Sequence, residues 1–295
     1  RMIASDVKGV EFVAVNTDKQ DLEKSKCKNK VQIGEKVFEV KNLCGADGKV
    51  EDVSFYVRKG EIVGIAGLVG AGKSELCKTI FGAYERTSGS VLLGGRELKI
   101  NNPSQAVKNG IALVPEERRK EGVLVNENVT LNLSAAALSK FCNGSFVSKA
   151  KTEKNAHEYV EGLDIKTPSI KQHVKNLSGG NQQKVIIGRW LLTNPDFLFL
   201  DEPTRGIDVG AKVEVYNVMN SLVKQGKCVI MVSSEMPEIL GMSDRVIVMR
   251  GGEVMATVDR DSEHFNQEDL MKAAWGGKFC LLYTSPSPRD VEESR

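Results

Sequence analysis

The string Gly67-Leu68-Val69-Gly70-Ala71-Gly72-Lys73-Ser74 constrains this 295-residue chain more than any other. It fits the spacing G-x-x-x-x-G-K-[ST], and its flanks fit too. The apolar run Glu61-Ile62-Val63-Gly64-Ile65-Ala66 reads as a strand feeding in, and residues 73–81 read as a helix leading out. Glycines at 67, 70 and 72 let the backbone curl until its N–H groups converge, and the helix N-terminus adds its positive end at the same spot. Such a turn cradles phosphate oxygens. A turn that merely joined strand to helix would need the glycines but not the Lys-Ser pair.

The backbone from Gly67 through Leu68, Val69, Gly70, Ala71, Gly72, Lys73 and Ser74 to Glu75 is therefore expected to line the phosphates of ATP. Lys73 is expected to reach the β- and γ-phosphates, and the Ser74 hydroxyl to hold Mg²⁺. A phosphate loop of this kind needs a carboxylate on a neighbouring strand. Phe197-Leu198-Phe199-Leu200-Asp201-Glu202 supplies one: four apolar strand residues, then two acids at the carboxyl edge, where ligands of open α/β sheets collect. Asp201 is the expected magnesium ligand. Glu202 is the expected general base for an attacking water. Taken alone, two acids after a strand read equally well as a solvated strand end; the phosphate loop decides between the readings. Pro203 ends the strand and Asp208 is placed to cap the following helix.

Alternating strand and helix signals fill about 240 residues around these motifs. Strands are expected at 38–43, 53–57, 62–66, 91–93, 111–114, 197–200, 229–232, 246–249 and 253–258, and helices at 73–81, 178–192, 211–224 and 267–273. The strands at 62–66, 197–200 and 229–232 are nearly all apolar, as strands covered on both faces by helices are. The segment 129–175 lacks such a strand and reads as a helical lobe inserted into the α/β core. Composition excludes several other classes. The formal net charge is +2, which supplies no broad field for nucleic acid or an anionic membrane surface. No run approaches about 18 apolar residues, so any transport role is played from the aqueous side. Six cysteines without a CxxC pair, beside three histidines, argue for reduced thiols rather than zinc or disulfides.

The string Leu177-Ser178-Gly179-Gly180-Asn181-Gln182-Gln183 resembles the signature motif of the ATP-binding cassette (ABC) family. The resemblance spans residues 37–277. It is strongest to the second, C-terminal cassette of bacterial ribose-, galactose- and xylose-type sugar importers. Gly60 to Ser74, Val114-Pro115-Glu116-Glu117-Arg118-Arg119, Asp201-Glu202-Pro203-Thr204-Arg205-Gly206-Ile207-Asp208 and Ser233-Ser234-Glu235-Met236-Pro237-Glu238-Ile239 carry it. It implies an α/β P-loop NTPase fold: a RecA-like core, an antiparallel β subdomain and the helical lobe. It also implies that Ser178, Gly179, Gly180, Gln182 and Asp208 close over ATP held by a second cassette. The implied partners are the first cassette of the same importer or a second copy, integral membrane permease subunits and, indirectly, a sugar-binding protein. The implied location is peripheral, at the cytoplasmic face of the cell membrane, with no nucleic-acid partner.

Two positions depart from the common cassette pattern. Glu116 stands where most cassettes have a metal-sensing Gln, and Ser234 where most have a His that contacts the γ-phosphate. Glu116 could still meet the metal, at the expense of negative charge near the γ-phosphate. The resemblance thus implies that the site built on Lys73 binds ATP but turns it over slowly, and that the Ser178–Gly180 loop serves the stronger site of the first cassette. The adenine-stacking aromatic of many cassettes has no obvious match at 44–47; Phe38 and Tyr56 are substitutes, each of which reads better as a sheet residue.

The ends read differently from the middle. Residues 2–36 are similar to part of the bacterial tubulin-like cell-division GTPase, without its glycine-rich loops. The string from Cys280 to Asp290 resembles translated sequencing-adaptor DNA, and the Ser-Pro repeats at 285–288 exclude helix or central strand there. A foreign segment at 1–36 and a disordered tail at 278–295 are therefore expected around the cassette. Two other functions stay open: a non-transport cassette acting on nucleic acid or ribosomes, and a nucleotide-binding cassette with little turnover.

Overall fold

The strands that read as continuous apolar runs form the centre of the molecule, in a computed structural model that describes residues 33–277. The six-stranded sheet is built from β3 (Ile62–Gly67), β6 (Ile111–Val114), β9 (Phe197–Asp201), β10 (Cys228–Val232), β11 (Arg245–Arg250) and β12 (Glu253–Asp259). Their order is β12-β11-β3-β10-β9-β6, and only β12 runs antiparallel to its neighbour. Parallel strands need both faces covered, and side-chain alternation sorts their residues cleanly. Val63, Ile65, Phe197, Phe199, Ile230 and Val232 face one layer; Ile62, Ala66, Leu198, Leu200, Val229 and Met231 face the other.

The first layer is the helix α1 (Lys73–Ile80) and a second sheet, antiparallel, of β1 (Lys36–Gly45), β2 (Val53–Arg58), β4 (Arg86–Leu93) and β5 (Arg96–Glu97). Phe38 of β1 is fully buried there, its ring 4.8 Å from that of Phe197. A short helix, α2 (Pro103–Lys108), leads into β6. The other layer is helical. The lobe between β6 and β9 holds α3 (Val129–Ser134), a small hairpin of β7 (Cys142–Asn143) and β8 (Phe146–Val147), α4 (Lys149–Gly162) and α5 (Gly179–Leu191). Helices α6 (Val209–Lys224), α7 (Met236–Met242) and α8 (Gln267–Ala274) complete the layer.

Within the lobe, a buried cation on α5 holds α3 and the turn before it. Arg189 donates to the Asn132 carbonyl (2.7 Å), the Asn132 side-chain oxygen (2.6 Å) and the Gly122 carbonyl (2.7 Å). Burial lowers its pKa to about 10, and neutral acceptors rather than a carboxylate satisfy it.

The expected α/β architecture, with its antiparallel subdomain and helical lobe, is what the structure contains. Polar elements escaped the periodicity. The first half of β4, Arg86-Thr87-Ser88-Gly89-Ser90, is mostly exposed and carries no apolar alternation. Gly89 (φ 83°) lets it pass Asn42, whose carbonyl a Cβ would meet at 2.3 Å. The similarity of residues 2–36 to a GTPase fragment falls outside the described residues except at 33–36, as does the reading of 278–295 as a tail. Of that first segment, Gly34 donates to the Lys59 carbonyl and Lys59 to the Glu35 carbonyl, both at 2.9 Å, so the chain joins the sheet slightly ahead of residue 37.

Candidate active site

The phosphate loop links β3 to α1 at the carboxyl edge of the parallel sheet, and steric demands explain its glycines. A Cβ on Gly72 (φ 90°) would sit 2.2 Å from the Lys49 carbonyl oxygen, and one on Gly67 would sit 2.4 Å from that of Met249. Gly72 is the N-cap of α1, with no side chain bonded to the helix start, so nothing competes with an anion there. Lys73 is buried and folds back over the loop, its ammonium donating to the carbonyls of Gly67 (2.6 Å) and Leu68 (3.2 Å). Desolvation lowers its pKa, against the pull of Glu202, Asp201 and Glu75. Glu75 itself pairs with Lys49 at 2.9 Å.

Those couplings place the acids of β9 opposite the loop, two strands away across β10. Asp201 is 1% exposed, and neither carboxylate oxygen has a well-formed hydrogen bond. Burial pushes its pKa up to about 6; the Ser74 hydroxyl beside it pulls down, Glu202 pushes up, and Lys78 and Lys73 pull down. An orphaned buried carboxylate facing a serine hydroxyl fits a hard divalent cation that takes oxygen ligands and leaves positions for phosphate and water. Ser74 and Asp201 are the residues that would hold Mg²⁺.

Glu202 sits in the left-handed region (φ 48°), rare for a residue with a Cβ. Its N–H bonds the Val232 carbonyl at 3.0 Å. Its Oε1 accepts from the Ser234 hydroxyl at 2.5 Å, so Ser234, expected from sequence to stand near the reacting phosphate, meets the candidate base directly. Glu116 follows β6 and its carboxylate is engaged by Arg205. One residue pair further on, Arg118 donates to the Gly206 carbonyl at 3.2 Å. The two arginines thus stitch the loop after β6 to the loop after β9.

The Ser178–Gly180 loop forms a second helix start. The Ser178 hydroxyl accepts from the Asn181 side-chain amide at 2.9 Å and caps α5. Gly180 packs on the start of α6, where a Cβ would meet that of Ala211 at 2.5 Å, and Gly179 lies against Gly206. Asp208 caps α6 by accepting from the Ala211 N–H at 2.9 Å. Ser178, Gly179, Gly180 and Asp208 are therefore brought together on one face. Gln182 points the other way: it is 2% exposed, its amide donating to the carbonyls of Val174 and Leu177 at 3.1 Å each. It braces the loop from behind.

Phe38 and Tyr56 are sheet residues. Phe38 is fully buried against Phe197 and Phe199. The Tyr56 ring is stacked by Lys36 (3.9 Å) and Arg245 (4.0 Å). Sequence reasoning singled out no role for Arg205, Arg118 or Glu238. All three lie in the family-like segments, and only their contacts across the folded loops give them meaning.

The ABC transporter family model matches residues 50–205. The chain is 50% identical over 252 residues to the xylose import ATP-binding protein XylG of Thermoanaerobacter pseudethanolicus, covering 83% of this chain and 50% of that protein. It is 47% identical over 246 residues to the ribose import ATP-binding protein RbsA of Clostridium tetani, covering 83% and 48%. The chain thus spans about half the length of the curated relatives it matches. Among solved structures, a nucleotide-free ATP-binding cassette from an ABC transporter superposes with TM-score 0.66 at 21% identity, over 88% of this chain and 98% of that one. An ATP-binding subunit of an ABC transporter superposes with TM-score 0.65 at 25% identity, over 81% and 98%. With a phosphate loop facing two strand-end acids, a second glycine-rich helix start and the matching family model, this chain belongs to the ABC transporter family.

Proposed function

We propose that this chain is the ATP-binding and ATP-hydrolysing second cassette of a bacterial sugar importer. The observation that carries the reading is the meeting of Lys73 and Ser74 with Asp201 at one sheet edge, where Glu202 is coupled to both Lys73 and Asp201. The relatives named for xylose and ribose import support the substrate class, a monosaccharide. No helix among the described residues is long and apolar enough to cross a membrane. By analogy with those relatives we assign the chain a peripheral place on permease subunits at the cytoplasmic face, paired with a first cassette or a second copy.

In this reading the loop amides and Lys73 grip the β- and γ-phosphates. Ser74 and Asp201 would hold Mg²⁺, which would neutralise charge on the phosphates. Glu202 orients the attacking water and accepts its proton. Ser234 occupies one Glu202 oxygen, which supports a slower site than one with a cationic or imidazole partner there. The Ser178–Gly180 face, with Asp208, closes over the nucleotide of the opposing cassette. The low-turnover variant of this reading rests on Ser234 and Glu116 alone.

The test is steady-state ATP turnover and ATP-dependent dimerisation of the chain and its Glu202→Gln variant. Glu202-dependent turnover, with a dimer trapped by ATP in the variant, supports the reading; no Mg-ATP binding at all refutes it. In the fused pair, equal losses from Glu202→Gln and from the equivalent change in the first cassette would remove the proposed asymmetry.

A further inference from the structure

We propose that Glu238 is a positioning residue that sets Glu202 against Ser234 by holding the loops after β9 and β10 on one carboxylate; this rests on the hydrolytic reading of the site above. Glu238 lies in the first turn of α7 and is 3% exposed. Its Oε2 accepts from the Thr204 hydroxyl at 2.6 Å and from the Ser233 hydroxyl at 2.9 Å. Its Oε1 accepts from the Lys212 ammonium at 2.8 Å. Thr204 and Ser233 are themselves buried, at 1% and 2% exposure.

The sources of these donors carry the argument. Thr204 stands two residues after the candidate base, Ser233 one residue before Ser234, and Lys212 in the first turn of the helix that Asp208 caps. The buried Tyr216 hydroxyl of α6 also bonds this carboxylate, which ties it to the core, while its other three donors come from the segments that flank the site. Glu202 gives a reason for those three. Its left-handed backbone costs free energy and persists only where the surroundings over-determine it. Its own N–H bond to Val232, the Arg205 N–H on its carbonyl (3.2 Å) and the Ser234 hydroxyl tie it locally. The Glu238 bridge acts beyond these, fixing the spacing of the two loops at the side-chain level. Lys212 extends the same bridge to the Asp208 end of α6, so the base, Ser234 and the inter-cassette face are indexed to one buried group.

The experiment compares the full chain with a Thr204→Val, Ser233→Ala double variant, which removes both hydroxyls from Oε2 with little change in shape. A Thr204→Ser variant serves as the conservative control. The readouts are kcat and KM for Mg-ATP, the melting temperature and hydrogen exchange at the Glu202 amide. A positioning role predicts a kcat lower by about tenfold to about a hundredfold, with KM within about twofold, faster exchange at Glu202 and near-parental behaviour for Thr204→Ser. Unchanged kcat and exchange overturn the proposal. So does a kcat loss matched by equal losses of ATP binding and melting temperature, because Glu238 then only supports the fold. Were the parent to show no Glu202-dependent turnover, the hydrolytic reading would fall by itself. Exchange at Glu202 in the double variant would then decide whether the bridge holds the loop.

Discussion

The Ser234 hydroxyl donates to the Glu202 carboxylate across 2.5 Å, joining the ends of two adjacent parallel strands. The bond orients the candidate base and leaves Ser234 with no spare proton for phosphate. Ser234→Ala is therefore expected to reduce turnover by about tenfold while leaving Mg-ATP affinity within about twofold. Glu202→Gln is expected to abolish turnover and keep binding. Steady-state ATPase rates with equilibrium nucleotide binding measure both.

Lys73 spends its ammonium on two loop carbonyls in a desolvated setting. Lys73→Ala is expected to weaken Mg-ATP binding by about a hundredfold, the scale of losing a charge-assisted contact of about 3 kcal/mol. Melting of the nucleotide-free protein is expected to change little, because a buried cation leaves with the side chain. Calorimetric titration and thermal melting read the two effects separately.

Asp201 gives the nucleotide-free protein a pH dependence of definite sign. Its pKa rises from 3.8 to about 6 on folding, so the folded state holds the proton more tightly than the unfolded one. That stabilisation is complete below about pH 4 and is lost as pH rises through 6. It amounts to at most about 3 kcal/mol. Asp201→Asn is expected to flatten this part of the stability–pH curve, measured by denaturant unfolding between pH 4 and 7 at about half-unit steps.

Gly72 tests the close approach of the loop to the β1–β2 turn. Gly72→Ala places a Cβ on the Lys49 carbonyl at a positive φ, and a destabilisation of about 2 kcal/mol or more is expected. Gly70→Ala meets nothing within 4 Å, so its effect is confined to backbone strain at φ 81°. Paired unfolding curves distinguish steric from conformational cost.

The Glu116–Arg205 pair is solvent-facing, with Arg205 65% exposed. A double-mutant cycle with Glu116→Gln and Arg205→Gln is expected to give a stability coupling of about 1 kcal/mol or less. A much larger value would mean that the pair is shielded when the protein is nucleotide-free.

What could be read in the sequence followed from how many signals coincided. The phosphate loop, the apolar β9 with its two acids and the buried β10 each impose a composition on a contiguous string. The polar half of β4 and the hairpin at 142–147 impose none, because solvent accepts almost any side chain there. The Glu238 bridge was hidden for another reason. Its donors lie 34, 26 and 5 residues away, and a carboxylate in a short helix looks like surface until the chain is folded. Gln182 shows the converse. Its position in the glycine-rich string suggested contact with a ligand, yet helical geometry turns it inward.

Arg189 carries a mechanical consequence. One planar group grips both the turn at Gly122 and the helix at Asn132 from within α5, so these three pieces translate as a single lever. A swing of α3 and its preceding turn is expected to carry the far end of α5, and through the rigid helix its Ser178 end, along with it. A lysine there has one head in place of a fork and would let the lever slip.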